Sequence, residues 1–310
     1  MELSAKEIRQ AVQAALTEDI GSGDVTTLAT VPAKATARAV MRAREPLVVA
    51  GLDFAEAAFR ELARRDEPCE SRKSETRVTR PSEIRIVRCV RDGRHVKAGV
   101  VLLKISGPTR AILSAERVAL NFIQRLSGVA TLTAQFVEAV RETRLPRRSS
   151  AKAGAQILDT RKTTPGWRRF EKYSVACGGG KNHRIGLFDM ILIKDNHLAA
   201  LINERPNAIA AAIQRARQKF PKLKVEVEAD TLEQVAQAAD AGADIILLDN
   251  MTTAQLRQAV KIVDGRAKTE ASGGVNLKTV RTIAETGVDF ISVGALTHSA
   301  RAMDIGLDFK

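Results

Sequence analysis

The sequence has only three cysteines, and none of them forms a CxxC pair. Cys69, Cys89 and Cys177 leave one over in any pairing. Neither a disulfide framework nor a zinc site is expected, and a reducing cytoplasm fits best. Aromatic residues are scarce, at 4%, which leaves few platforms on which single-stranded bases could stack. No stretch approaches the roughly 18 uninterrupted apolar residues of a membrane-crossing helix. The opening Met1-Glu2-Leu3-Ser4-Ala5-Lys6-Glu7 lacks a basic region followed by an apolar core, so no secretory leader is expected. A P-loop is missing too. Gly178-Gly179-Gly180-Lys181 has no Ser or Thr after the lysine, and Val175 stands where the loop's first glycine would be.

What is abundant is positive charge and apolar surface. The formal net charge is +13 over 310 residues. The excess forms no tail; it is spread over 60–97 and 141–172 with acids interleaved. That distribution suits a solvated basic surface, or a cleft for a multiply charged small substrate, better than a nucleic-acid track. Hydrophobic residues make up 45%, enough for a real core, and the length suits a barrel plus a smaller domain.

Periodicity divides the chain. Residues 2–17 read as an amphipathic helix with Ser4 as its N-cap, and 18–24 as a turn cluster. Short alternating runs at 37–42, 84–90 and 100–105, with a helix at 52–65, predict an α+β domain around a mostly antiparallel sheet. A long helix starts near Thr109. Beyond residue 150 come six apolar strand candidates, at 156–162, 190–196, 224–229, 244–250, 268–272 and 289–294. Ala241-Gly242-Ala243-Asp244-Ile245-Ile246 echoes Thr286-Gly287-Val288-Asp289-Phe290-Ile291. Such repetition argues for parallel strands with helical crossovers.

The ends of these strands carry the chemistry. Lys162, Lys194, Glu228, Asp249, Ser272 and Gly294 lie at or near their C-terminal ends, and in a parallel α/β barrel that end is the active-site mouth. Asp159-Thr160-Arg161-Lys162-Thr163-Thr164-Pro165-Gly166 reads as an anion-binding loop, or else as a surface ion-pair network of its cations with Asp159 and Glu171. His183 and Arg184 follow the glycine run and offer further cations. Lys194 ends an apolar strand and needs an opening or a partner such as Asp195; Asn196 and His197 suit a helix cap. Glu226 and Glu228 share one strand face. Glu228 and Asp249 can accept bonds from ribose hydroxyls or hold Mg²⁺ through water, and Glu226 could partner an interior lysine. Glu270-Ala271-Ser272-Gly273-Gly274-Val275 and Ser292-Val293-Gly294-Ala295-Leu296 suit a phosphate cradle, or tight strand-to-helix packing. The inventory matches phosphoribosyl diphosphate plus an acidic acceptor.

The run from Asp159 to His197 closely resembles the quinolinate phosphoribosyltransferase family (nicotinate-nucleotide diphosphorylase, carboxylating). So do 18–27, Glu116-Arg117-Val118-Ala119-Leu120-Asn121, Ser127-Gly128-Val129-Ala130-Thr131, 226–228, 248–250 and 270–275. The resemblance covers nearly the whole chain. It implies an N-terminal α/β sandwich domain (1–120, joined by the tail 299–310) and an incomplete α/β barrel of about seven strands (121–298). It implies a homodimer at least, with Arg117 reaching into the neighbour's site. By motif, Arg117, Arg161, His183, Arg184 and Lys194 would hold quinolinate, and Lys162 would meet the diphosphate. Glu228 and Asp249 would bind ribose and, indirectly, Mg²⁺. Ser272, Gly273, Gly274 and Gly294 would form the cradle, with His298 nearby. Lys162, Lys194, Glu228 and Asp249 would be the catalytic groups. Ala176, Trp167 and longer segments at 144–154 and 201–222 depart from the family pattern without touching a matched site residue.

Overall fold

A computed structural model of the protein describes residues 1–65, 84–141 and 154–310. The parts of the basic stretches at 66–83 and 142–153, and most of the long segment at 144–154, lie outside the described residues. The chain divides into two compact units. One comprises Met1–Thr131, Ala176–Gly178 and Ala300–Lys310; the other comprises Leu132–Val175 and Gly179–Ser299.

The first unit opens with α1 (Ala5–Ile20), which buries Ile8, Val12 and Leu16. Its start is fixed by a reciprocal cap. Ser4 Oγ accepts from Glu7 N at 3.2 Å, and the Glu7 carboxylate accepts from Ser4 N at 2.9 Å. The helix runs past the expected end at 17, because the chain first leaves it at Gly21 with φ +52°. Asp24 then caps α2 (Val25–Thr30), accepting from Thr27 N at 3.0 Å and from the Ser114 hydroxyl at 2.7 Å. These bonds to Thr27 and Ser114 lower the Asp24 pKa against the effect of burial.

The remaining elements of this unit are β1 (Thr36–Ala43), β2 (Leu47–Val48), α3 (Leu52–Arg65), β3 (Arg85–Arg88), β4 (His95–Val96), β5 (Val101–Pro108), the start of α4 (Thr109–Arg141) and the C-terminal β12 (Ile305–Phe309). The main sheet is antiparallel, in the order β12-β1-β5-β3, and β2 pairs with β4. The Ser127–Thr131 stretch of α4 is where helix and loops meet. Ser127 Oγ accepts from Ala50 N at 3.0 Å, and Thr131 Oγ1 accepts from Val48 N at 2.9 Å. Gly128 faces the main chain of the tail, where a Cβ would sit 1.9 Å from Arg301 O.

The second unit alternates strands and helices: β6 (Gln156–Leu158), α5 (Arg168–Cys177), β7 (Ile191–Ile193), α6 (Asp195–Ala199), α7 (Ala208–Lys219), β8 (Val225–Ala229), α8 (Leu232–Asp240), β9 (Ile245–Asp249), α9 (Thr253–Val263), β10 (Lys268–Ser272), α10 (Val280–Ala284), β11 (Phe290–Ser292) and α11 (Ala295–His298). The strands are parallel, in the order β6-β11-β10-β9-β8-β7. Lys181 adds a one-residue seventh position on the free side of β6: its N–H donates to Ile157 O at 2.8 Å, and its carbonyl accepts from Asp159 N at 3.2 Å. Taken in a ring, the seven positions follow chain order and leave one opening, between Lys181 and β7. This is the incomplete barrel that the family resemblance implied. Three strands, β6, β7 and β11, are much shorter than their apolar patterns predicted. β6 stops at Leu158 because the polar residues after Asp159 turn into a loop, and β7 stops at Ile193 because Asp195 already starts α6.

Candidate active site

The C-terminal ends of the strands place the expected polar residues around one rim. Glu228 is the penultimate residue of β8, while Asp249 and Ser272 close β9 and β10. Lys194 directly follows β7, and Gly294 and Lys162 lie in the segments after β11 and β6. Because β6 has ended, Arg161 and Lys162 sit on a loop, and strand alternation does not decide where they point. That loop is held by Thr297 Oγ1, which donates to Lys162 O at 2.7 Å, and by Glu171, which accepts from Thr164 N at 3.0 Å and from its hydroxyl at 2.8 Å.

Three groupings follow along the rim. Lys194 Nζ pairs with Glu228 Oε2 at 3.0 Å, so its partner is Glu228 and not Asp195. His197 caps α6, its Nδ1 accepting from Lys194 N at 2.9 Å. Asp249 Oδ2 accepts from Asn250 Nδ2 at 2.6 Å. Asn250 in turn packs so closely on Gly273 that a Cβ there would lie 2.1 Å from Asn250 Oδ1. Gly273 has φ +97° and Gly274 has φ +59°, a left-handed pair that glycine adopts without strain. At the third grouping, a Cβ on Gly294 would lie 3.1 Å from His298 Nε2 and 3.2 Å from Lys162 Cδ. Lys162, Gly294 and His298 therefore converge at one point.

Below the rim lies a buried acid–imidazole cluster. His183 Nε2 is 2.9 Å from Glu226 Oε2 and 3.7 Å from Glu270 Oε1. The expected interior lysine partner for Glu226 is thus replaced by His183. Ser292 donates to Glu270. Burial and the neighbouring Glu226 charge push the Glu270 carboxyl up to about 8, so it keeps its proton at neutral pH. Burial opposes a charged His183, but the bond and charge of Glu226 outweigh it and raise the imidazole pKa. The ligand atoms of His183, Glu226 and Glu270 lie within 4.8 Å of one another. By type they could hold a divalent ion.

Arg184, almost fully buried, donates through Nη1 to Met190 O at 3.2 Å. Burial, and then the Arg161 cation nearby, lower its pKa. The Nε atoms of both Arg161 and Arg184 are buried and meet no acceptor among the described residues. Leaving a charged donor unpaired is expensive, so two neighbouring guanidinium groups in this state mark a place built for an anion. Arg117 is exposed on α4, in the first unit. Glu270 and Lys172 carried no role in the sequence reading. The available signal was an acid in the middle of an apolar strand for Glu270, and a lysine on the buried face of α5 for Lys172.

The model of the quinolinate phosphoribosyl transferase C-terminal domain matches residues 129–308, and that of the N-terminal domain matches residues 24–127. The chain belongs to the quinolinate phosphoribosyltransferase family. It is 41% identical over 304 residues to a carboxylating nicotinate-nucleotide pyrophosphorylase of Mycobacterium leprae, covering 97% of this chain and 96% of the relative. It is 39% identical over 317 residues to the chloroplastic enzyme of that name from Arabidopsis thaliana, covering 97% and 82%. The solved nicotinate-nucleotide pyrophosphorylase of Francisella tularensis superposes with a TM-score of 0.84 at 36% identity, covering 100% of this chain and 98% of that one. The fold expected of a quinolinate phosphoribosyltransferase, a sheet-bearing N-terminal unit and a parallel α/β unit, is the fold observed.

Proposed function

We propose that the chain transfers the phosphoribosyl group of phosphoribosyl diphosphate to quinolinate with decarboxylation, giving nicotinate mononucleotide, diphosphate and CO₂ in NAD biosynthesis. The observation that carries this reading is the pair of arginines, Arg161 and Arg184, whose buried Nε–H donors meet no acceptor among the described residues, together with a His183 held toward its charged form. Planar guanidinium forks match carboxylates, and an acceptor with two carboxylates uses such a concentration of cations.

In this reading His183, Arg184, Arg161 and Lys194 hold the acceptor, and Arg117 completes the site from a second copy in a homodimer. Lys162 faces the departing diphosphate, with His298 beside it. Ser272, Gly273, Gly274 and Gly294 cradle the 5′-phosphate. Glu228 and Asp249 accept from the ribose hydroxyls. They are also hard oxygen donors at neighbouring strand ends, a set that suits a largely hydrated Mg²⁺ reached through water and substrate. Bound there, Mg²⁺ supplies positive charge to the leaving diphosphate.

The pyridine nitrogen attacks the sugar carbon as the carbon–oxygen bond to diphosphate breaks, and Lys162 stabilises the negative charge that departs. The ring nitrogen becomes cationic. The bond to the adjacent carboxylate then breaks, its electrons stay on the ring carbon, and that carbon takes a proton. The arginines must hold the acceptor without binding the leaving carboxylate more tightly than the transition state. The cysteine pattern supports a reducing cytoplasm as the setting.

The test mixes purified protein with quinolinate, phosphoribosyl diphosphate and Mg²⁺ and measures nicotinate mononucleotide and CO₂, with nicotinate as an alternative acceptor. Product is expected from quinolinate alone. Arg161→Ala should raise the quinolinate KM about 10- to 100-fold, as loss of a charge-assisted bond does. Turnover of nicotinate and not quinolinate would overturn the acceptor assignment.

A further inference from the structure

His183 is fixed through its main chain as well as its ring. Its N–H donates to Asp159 Oδ1 at 2.9 Å, and its carbonyl accepts from Lys172 Nζ at 3.0 Å. Lys172 also donates to Asp159 Oδ1. The other carboxylate oxygen, Asp159 Oδ2, accepts from Asn182 Nδ2 at 2.7 Å, and that same amide reaches Lys172 O at 2.8 Å. Both side chains of the ion pair are 0% exposed. Burial pushes the Asp159 carboxyl up and the Lys172 ammonium down, and in each case the partner's charge opposes the shift.

Stability alone is a poor reason for such a pair. Desolvating two charges costs several kcal/mol, and apolar residues of similar size are often as stable in their place. Two apolar side chains could not, however, grip the peptide groups on either side of His183. The grip matters because this segment is part of no helix or strand, and its other main-chain anchors, Arg168 on Ile185 O and Asp189 on Ile185 N and Gly186 N, lie beyond Arg184. After the single bridge at Lys181, no helix or strand forms until Ile191, and His183 and Arg184 lie in that interval. The network ties the interval to the end of β6 through Asp159 and to α5 through Lys172.

We propose that Asp159, Lys172 and Asn182 are positioning residues for the acceptor half of the reaction: they set the His183–Arg184 main chain so that imidazole and guanidinium meet the acceptor's carboxylates, and they leave the phosphoribosyl half alone. This rests on the reading that quinolinate is held by His183 and Arg184. The bonds of the network end on the His183 segment, on α5 and on Asp159 at the end of β6, three residues before Lys162, whereas the other groups assigned to phosphoribosyl diphosphate, Glu228, Asp249, Gly273 and Gly294, sit on or after other strands.

The experiment uses full-length protein with the double substitution Asp159→Asn/Lys172→Met, which removes both buried charges together, and separately Asn182→Ala, which leaves the ion pair in place. Steady-state KM and kcat for each substrate are measured, with calorimetric binding of quinolinate and of phosphoribosyl diphosphate, and a thermal melt to confirm folding. In the double variant, quinolinate KM and Kd should rise on the order of tenfold to a hundredfold, the range that misplacement of binding groups produces. Phosphoribosyl diphosphate binding should stay within about twofold. Asn182→Ala should show the same selective loss at smaller size. Folded variants that bind both substrates as the wild type does, or that lose both in parallel, would overturn the positioning role while leaving the proposed function intact. Wild-type protein that neither binds nor turns over quinolinate would overturn both. If the double variant does not fold, an Asn182→Ala protein with unchanged quinolinate KM still decides against the proposal.

Discussion

Gly273 shows how much a single residue can settle. Its φ of +97° disfavours any side chain, and the Asn250 amide occupies the space a Cβ would need. Gly274, at φ +59°, has nothing within 4 Å of the same position. The two substitutions should therefore separate. Gly273→Ala is expected to cost about 1–3 kcal/mol of stability and, by moving Asn250 and Asp249, to weaken phosphoribosyl diphosphate binding. Gly274→Ala should cost about 1 kcal/mol from backbone strain alone. Urea unfolding and phosphoribosyl diphosphate KM check both; equal stability of the two variants would show that the Asn250 contact is easily relieved. The same scale explains His183. The sequence marks it as a functional cation, but its state depends on Glu226 and Glu270, which come to it from separate strands.

At the scale of elements, α4 sets local propensity against tertiary packing. A glycine inside a helix is about 1 kcal/mol less favourable than alanine, so propensity alone would make Gly128→Ala stabilising. Packing predicts the reverse, since the added methyl would meet Arg301 O at 1.9 Å and push the tail away from the helix. Gly128→Ala should lower the melting temperature and release residues 300–310 to limited proteolysis; a higher melting temperature with a protected tail would show that the tail simply shifts. The tail has reason to be held. β12 pairs antiparallel with β1, Arg301 forms a two-pronged ion pair with Glu45, and the bonds from Arg301 and Asp304 N draw the Glu45 pKa down to about 2.

For the whole molecule, the buried acids predict a loss of stability toward alkaline pH. An unfolded glutamate releases its proton near the ordinary value of 4.5, whereas folded Glu270 holds it to about 8. Between those values the native state carries the extra proton, so stability falls as pH rises and levels off above about 8. His183, with a raised pKa, acts in the same direction: its contribution is full below the ordinary imidazole range and is lost as pH rises through the folded value. Glu270→Gln cannot ionise. Relative to wild type, its melting temperature should therefore improve between pH 5.5 and pH 8.5, and a difference between the two proteins that is the same at both pH values would contradict the assignment.

Much of this was readable in one dimension because its causes are local. The Ser4 cap needs only Glu7 three residues on, and the α3 span needs only its own apolar face. The βα alternation and the polar residues at strand ends follow from periodicity, and they gave the parallel barrel with its rim of Lys194, Glu228, Asp249, Ser272 and Gly294. Strand length was less readable, since an apolar run does not show where ladder bonds cease: β6 and β7 stop at Leu158 and Ile193 inside longer runs. The pairings within the rim and beneath it were not readable at all. Lys194 could have turned to Asp195 next door, and Glu226 to any interior cation. Only the ring of parallel strands brings Glu228 to Lys194, His183 between Glu226 and Glu270, and Lys172 across to Asp159. The sequence by itself determined which chemical groups lie at the strand ends. The tertiary structure decided which of them share a proton, a charge or a hydrogen bond, because those interactions act over a few ångströms between residues that are tens of positions apart in the chain.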